Sequence, residues 1–138
     1  MITKILLPTD GSAFSDRAAD YALHLAKKYS ASLTALNVVE IAAPQELNAE
    51  SVDKKHAHQA EMTLKAVQEK AGKEGVQIET KMLVSRSVSD AIMEEAEEGS
   101  YNLIVIGSHG RRGLQKLLLG SVAESIIRQT TRPVLVIH

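Results

Sequence analysis

Apolar and polar residues follow one another along this chain in blocks of changing period. Lys4 to Thr9, dominated by Ile5, Leu6 and Leu7, predicts a buried strand running into the turn Pro8-Thr9-Asp10-Gly11-Ser12. From Phe14 onward, Ala18, Tyr21, Ala22, Leu25 and Tyr29 recur on one helical face, and Ser12 is placed to cap that helix. Leu33 to Val39 returns to a strand pattern, and Ile41 to Asn48 reads as loop. Glu50 to Lys73 is helical by composition, with His56, Ala60, Thr63, Leu64, Val67 and Ala71 on its less polar side and Gly72 and Gly75 at its end. Val76 to Val84 sets Val76, Ile78, Thr80 and Met82 against polar neighbours, as a half-exposed strand does. Ser87 to Glu98 predicts a short helix with Val88, Ala91, Ile92 and Ala96 inward, closed by Gly99. The unbroken apolar run Leu103 to Ile106 predicts a strand buried on both faces. A glycine-rich basic loop, Gly107 to Leu119, leads into a helix from Gly120 to Thr130 with Val122, Ala123, Ile126 and Ile127 inward. Thr131-Arg132-Pro133 breaks that helix before a last apolar strand, Val134 to Ile137.

Strands that alternate with helices imply a parallel sheet covered on both faces, joined by right-handed crossovers. The first and fourth strands are the most continuously apolar, which places them together at the centre. The expected fold is therefore α/β: a single open five-stranded parallel sheet in the order 3-2-1-4-5, Rossmann-like, with helices on both faces. The 138 residues suit one domain, 1–138. In such sheets a ligand crevice opens where the winding reverses, here between the first and fourth strands. The residues delivered there are Thr9-Asp10-Gly11 and Gly107-Ser108-His109-Gly110.

Composition narrows the function classes. Sixteen Lys+Arg against 17 Asp+Glu leave a formal net charge of -1, which is not the basic footprint of a nucleic-acid binder. Phe14, Tyr21, Tyr29 and Tyr101 are the only aromatics, too scattered for base stacking. The absence of Cys removes thiolate catalysis, Cys-ligated metals and disulfides, and it fits a reducing cytoplasm. No apolar run approaches the roughly 18 residues of a membrane span or the about 7–15 of a secretory signal core. A cytoplasmic protein is expected.

The segment from Gly107 to Val122 holds four glycines and three basic residues, Arg111, Arg112 and Lys116, with no acid. Glycine permits positive φ and close approach of a ligand to backbone N–H groups. Gly120-Ser121 opens a helix, whose free N–H groups and dipole favour an anion, and Ser121 adds a hydroxyl. These features suit a phosphate chain; glycines that merely end a strand and start a helix would look the same. The P-loop pattern and the dinucleotide fingerprint after the first strand are both absent.

Gly107-x2-Gly110-x9-Gly120-Ser121 resembles the G-x2-G-x9-G-[ST] motif of ATP-binding universal stress proteins. The opening Ile5-Leu6-Leu7-Pro8-Thr9-Asp10-Gly11-Ser12, the block Val105-Ile106-Gly107-Ser108-His109-Gly110 and the closing Arg132-Pro133-Val134-Leu135-Val136-Ile137 are similar to that family's blocks in the same order. The resemblance implies an adenine nucleotide alpha hydrolase-like fold and an adenine nucleotide, ATP, as ligand, with Mg²⁺ held mainly by the phosphates. It implies that Asp10 and Val38 border adenine and ribose, with Pro8 and Thr9 shaping that wall. It also implies that Gly107, Gly110, Gly120, Ser121 and Val122 line the phosphates, with His109 and Arg111 beside them and Ser108 among the nucleotide-binding residues. Many family members carry a Gly-x-Pro turn after the third strand; this chain has Ser85-Arg86-Ser87, whose Arg86 either reaches the pocket mouth or points to solvent.

Other constellations carry less. His56 and His58 are two apart on a helix and face different ways, His24 lies off the apolar face, and Glu94, Glu95, Glu97 and Glu98 read as a solvated helix face. The expected function is a nucleotide-dependent regulatory module in stress response. The alternatives are a slow ATPase or phosphotransferase, for which no dedicated base or arginine finger stands out, and a nucleotide-free dimeric scaffold. The uncharged strand Val134-Ile137, placed at one end of the sheet, is expected to pair with its copy in a homodimer.

Overall fold

The computed structural model describes residues 1–41, 54–110 and 119–138. In chain order the elements are β1 (Lys4–Pro8), α1 (Ala13–Tyr29), β2 (Ser32–Glu40), α2 (Lys54–Lys73), β3 (Glu79–Ser85), α3 (Val88–Glu98), β4 (Leu103–Gly107), α4 (Ser121–Gln129) and β5 (Val134–Ile137). The strands form one parallel sheet in the order β3-β2-β1-β4-β5, as expected. Most of the expected loop up to Asn48, and Glu50 to Asp53 of the expected second helix, lie outside the described residues.

Successive side chains of a strand point to opposite faces, so a central strand must be apolar throughout. In β1, Ile5 and Leu7 enter the core under α1 and α2, while Leu6 enters the core under α3 and α4. β4 divides in the same way, with Leu103 and Val105 on one face and Ile104 and Ile106 on the other.

α1 starts where Ser12 predicts: the Ser12 hydroxyl accepts from the Ser15 N–H at 3.2 Å. Its buried stripe differs from the expected one. Ser15, Ala18, Ala19, Ala22, Leu23 and Ala26 face the sheet, and Tyr21 and Tyr29 are exposed. Small side chains let the helix lie close to the strands, and the tyrosines keep their hydroxyls in water. In α4, Ile126 is buried and Ile127 is exposed, because the next residue on a helix is turned by about 100°. Thr80, expected inward, is exposed on β3, an edge strand.

The acidic run on α3 is not a uniformly solvated face. Glu97 pairs with Arg132 at 3.1 Å, and Glu95 is buried. The Glu95 carboxylate accepts from Lys81 Nζ of β3 at 2.8 Å and from the Tyr101 hydroxyl at 3.4 Å. The Lys4 ammonium sits 4.6 Å from the centre of the Tyr101 ring. Burying a carboxylate requires such partners, since an unpaired charge would cost several kcal/mol, on the order of the whole fold's stability. The hydrogen bond to Glu95 raises the Lys81 ammonium above its ordinary 10.5, with burial opposing. Burial pushes the Tyr101 phenol above its ordinary 10.0, with Thr34 pulling the other way.

Both folded-state values are raised, so both groups contribute stability that is intact below pH 10 and lost as pH rises through the folded values. Urea midpoints of the wild type should therefore fall as pH climbs past 10, and Tyr101→Phe should flatten that fall. Lys81→Met, which leaves the buried carboxylate without its cation, should cost about 1–3 kcal/mol at neutral pH. An unchanged alkaline limb in Tyr101→Phe would contradict this account.

Candidate functional site

The winding reverses between β1 and β4, and the segments leaving their carboxyl ends meet there. Thr9, just past β1, is buried and tied on three sides. Its N–H donates to the Leu36 carbonyl at 2.8 Å, its carbonyl accepts from Asn37 Nδ2 at 2.9 Å, and its hydroxyl donates to Ser15 Oγ at 3.2 Å. The chain then turns through Gly11, whose φ of 80° is one that side chains resist. Asp10 Oδ1 accepts from the Ser12 N–H at 2.9 Å, so this carboxylate closes the turn while Ser12 caps the helix.

From β4 emerge Ser108, His109 and Gly110. The Ser108 N–H donates to the Ile137 carbonyl at 2.7 Å, and the Gly120 N–H donates to the Ser108 carbonyl at 2.6 Å. Ser108 is thus the joint between β5 and the start of α4. Its hydroxyl lies 3.0 Å from His109 Nδ1, and the residue is fully buried. The His109 ring packs on Phe14 with centroids 5.0 Å apart, and the Arg17 guanidinium lies 4.9 Å from the Phe14 centroid.

Gly107, Gly110 and Gly120 all keep ordinary φ, so the freedom to adopt positive φ is not what these positions use. They are needed for closeness. A Cβ on Gly107 would lie 2.8 Å from the Phe14 carbonyl carbon, on the first turn of α1. One on Gly120 would lie 3.1 Å from the Ser108 oxygen, and one on Gly110 would lie 2.7 Å from Asp10 Oδ2.

A cleft of about 470 Å³ opens above these segments. Pro8, Thr9, Asp10, Val38, Gly107, Ser108, His109, Gly110, Gly120, Ser121 and Val122 all line it. Arg111 lies outside the described residues. Glycine motifs and turn chemistry pointed to the backbone of this site but missed part of its wall: Leu36, Glu40, Val88, Ile92, Ile106, Ala123 and Ser15. Asn37 had a readable signal, a lone amide inside an apolar strand, where burial requires a hydrogen-bond partner.

Arg86 is exposed and is not among the cleft residues. The turn around it closes on itself, the Ser85 hydroxyl accepting from the Ser87 N–H at 3.1 Å, and Ser87 caps α3. His24, His56 and His58 are exposed, and among the described residues no three His, Asp or Glu side chains gather to hold a metal ion. Among the described residues, no helix is long and apolar enough to cross a membrane.

The contacts at Gly107 and Gly110 differ in kind, and stability measurements should separate them. Gly107→Ala drives a methyl into helix backbone, which cannot yield locally, and should cost about 1–3 kcal/mol. Gly110→Ala meets only the end of the Asp10 side chain and should cost less than about 1 kcal/mol. Equal shifts of the urea midpoint would overturn the distinction.

The model of the universal stress protein family matches residues 1–138. Universal stress protein MJ0531 of Methanocaldococcus jannaschii is 38% identical over 138 residues, covering 97% of this chain and 81% of that one. Universal stress protein YxiE of Bacillus subtilis is 32% identical, with both chains covered in full. Among solved structures, the hypothetical protein MJ0577 superposes with a TM-score of 0.81 at 26% identity, over 99% of this chain and 96% of its own. A universal stress protein in complex with cAMP superposes with a TM-score of 0.80 at 27% identity, over 99% of this chain and 97% of its own. Likeness that runs the whole length of the chain, on the sheet order described above, means that it belongs to the universal stress protein family.

Proposed function

We propose that the cleft binds an adenine nucleotide, ATP, and that the protein works as a nucleotide-dependent regulatory module of the stress response in the cytoplasm. The observation that carries this reading is the convergence of the β1 turn, the end of β2, the β4 exit and the first turn of α4 on one cleft of about 470 Å³. That volume suits a small ligand, for which pockets run roughly 300–1,000 Å³. Leu36, Val38, Ile92 and Ile106 offer an apolar wall for a base. The α4 N-terminus, with Gly120 and Ser121, offers N–H groups and a hydroxyl for phosphates. The relative at 27% identity that is solved with cAMP supports an adenine nucleotide here too.

In this reading Asp10 and Val38 border adenine and ribose, and Pro8 and Thr9 shape that wall. Gly110, Gly120, Ser121 and Val122 line the phosphates, with His109 beside them. Gly107 serves by letting α1 close on the strand end. Mg²⁺ would be held mainly by the phosphates. A regulatory role is preferred over an enzyme because no dedicated base or arginine finger stands out in the sequence.

Titration of ATP with Mg²⁺ tests the reading. Ser121→Ala should weaken binding by about 0.5–1.5 kcal/mol, roughly 2- to 12-fold. Gly120→Val, which forces the α4 start away from Ser108 and His109, should weaken it more, by roughly 5- to 150-fold. ATP turnover should stay far below the typical enzyme rate of about 10 s⁻¹. Wild-type binding by a folded Gly120→Val protein would remove the proposed site; rapid turnover abolished by His109→Ala would establish an enzyme instead.

The reading includes a homodimer through β5. The two sheet edges differ: β3 exposes Glu79 and Lys81, whereas β5 carries no charge and leaves Val134, Leu135 and Val136 half-buried. An uncharged edge invites pairing. The wild type should sediment at twice the chain mass, and Val136→Lys should shift it toward monomer. A monomeric wild type at micromolar concentration would reject the dimer.

A further inference from the structure

Glu40 is the last residue of β2 and lines the cleft, although no motif pointed to it. Val38 and Glu40 are two apart on one strand, so their side chains leave the same face of the sheet. The strand end is rigid: Glu40 stands opposite Ser85, and the Ile41 N–H donates to the Ser85 carbonyl at 3.0 Å just beyond it. Glu40 is exposed and, among the described residues, its carboxylate makes no hydrogen bond or ion pair. No Lys or Arg is among the described residues that line the cleft.

Position gives the carboxylate its meaning. The anion-favouring start of α4 stands by the end of β4, while β2 lies beyond β1, two strand spacings or about 9–10 Å away. A phosphate at the first place leaves the far end of a nucleotide, its base, at the second. The wall there is Leu36, Val38, Val88 and Ile92, and Glu40 is its charged member. A carboxylate only accepts hydrogen bonds. It therefore favours a base edge that presents a donor and disfavours one that presents none.

We propose that Glu40 reads the base edge, accepting a hydrogen bond from the 6-amino group of adenine. The inference rests on the nucleotide reading above and goes beyond it by assigning base selectivity to a side chain. Charge-assisted hydrogen bonds are stronger than neutral ones. At this exposed position the bond should be worth roughly tenfold in affinity.

The test is calorimetric titration of wild type, Glu40→Ala and Glu40→Gln with ATP and with purine riboside 5′-triphosphate, which lacks the 6-amino group. Wild type should bind ATP roughly tenfold more tightly than the purine analogue. Glu40→Ala should narrow that ratio to within about threefold by losing ATP affinity alone. Glu40→Gln keeps an acceptor oxygen and should fall between. Equal binding of the two ligands by wild type, or an unchanged ratio in a folded Glu40→Ala protein, would overturn the assignment. Failure of wild type to bind either triphosphate would instead remove the nucleotide reading, and this assignment with it.

Discussion

Backbone touches backbone where Gly107 meets the first turn of α1, and the architecture of the cleft follows from that contact. With 2.8 Å between the missing Cβ and the Phe14 carbonyl carbon, no larger residue fits without separating helix from strand. Because the two elements touch, the turn after β1 and the exit of β4 lie side by side. Gly120 then brings α4 down onto Ser108 in the same manner, fixed by the hydrogen bond from its N–H. The cleft is the space left above three segments that Gly107, Gly110 and Gly120 bring close together.

Sheet order and element types were legible because they depend on the period and continuity of apolar residues, which Ile5-Leu6-Leu7 and Leu103 to Ile106 display without ambiguity. The backbone of the site was legible too, through Gly11, Ser12 and the spaced glycines. What escaped depended on three-dimensional closeness. Ala19 and Leu23, rather than Tyr21 and Tyr29, face the sheet, and hydrophobicity alone does not separate these neighbours on the helix. Glu95 looked like any acid on a charged helix; its burial is decided by Lys81 and Tyr101, which arrive from other elements. Val88 and Ile92 read as core, and the helix position that makes them cleft wall as well is set by the whole fold.

α3 joins these two levels. Val88 and Ile92, four apart, share the helix face toward the cleft, and Glu95 follows a turn later, clamped to β3 and Tyr101. The helix also begins on a side-chain cap from Ser87. Held by contacts near both ends, it presents an apolar wall to the cleft. Gly99 fits the same scheme, since the Tyr101 ring occupies the place its side chain would take.

The two rims of the sheet carry different chemistry. β3 bears Glu79 and Lys81, and β5 bears only apolar side chains. A sheet that could recruit strands on both sides would have a valence of two and could grow into an open fibre. With the β3 rim blunted by charge, the proposed recruitment through β5 would have a valence of one. If β5 pairs with its copy as proposed, such growth would terminate by itself at the first pairing.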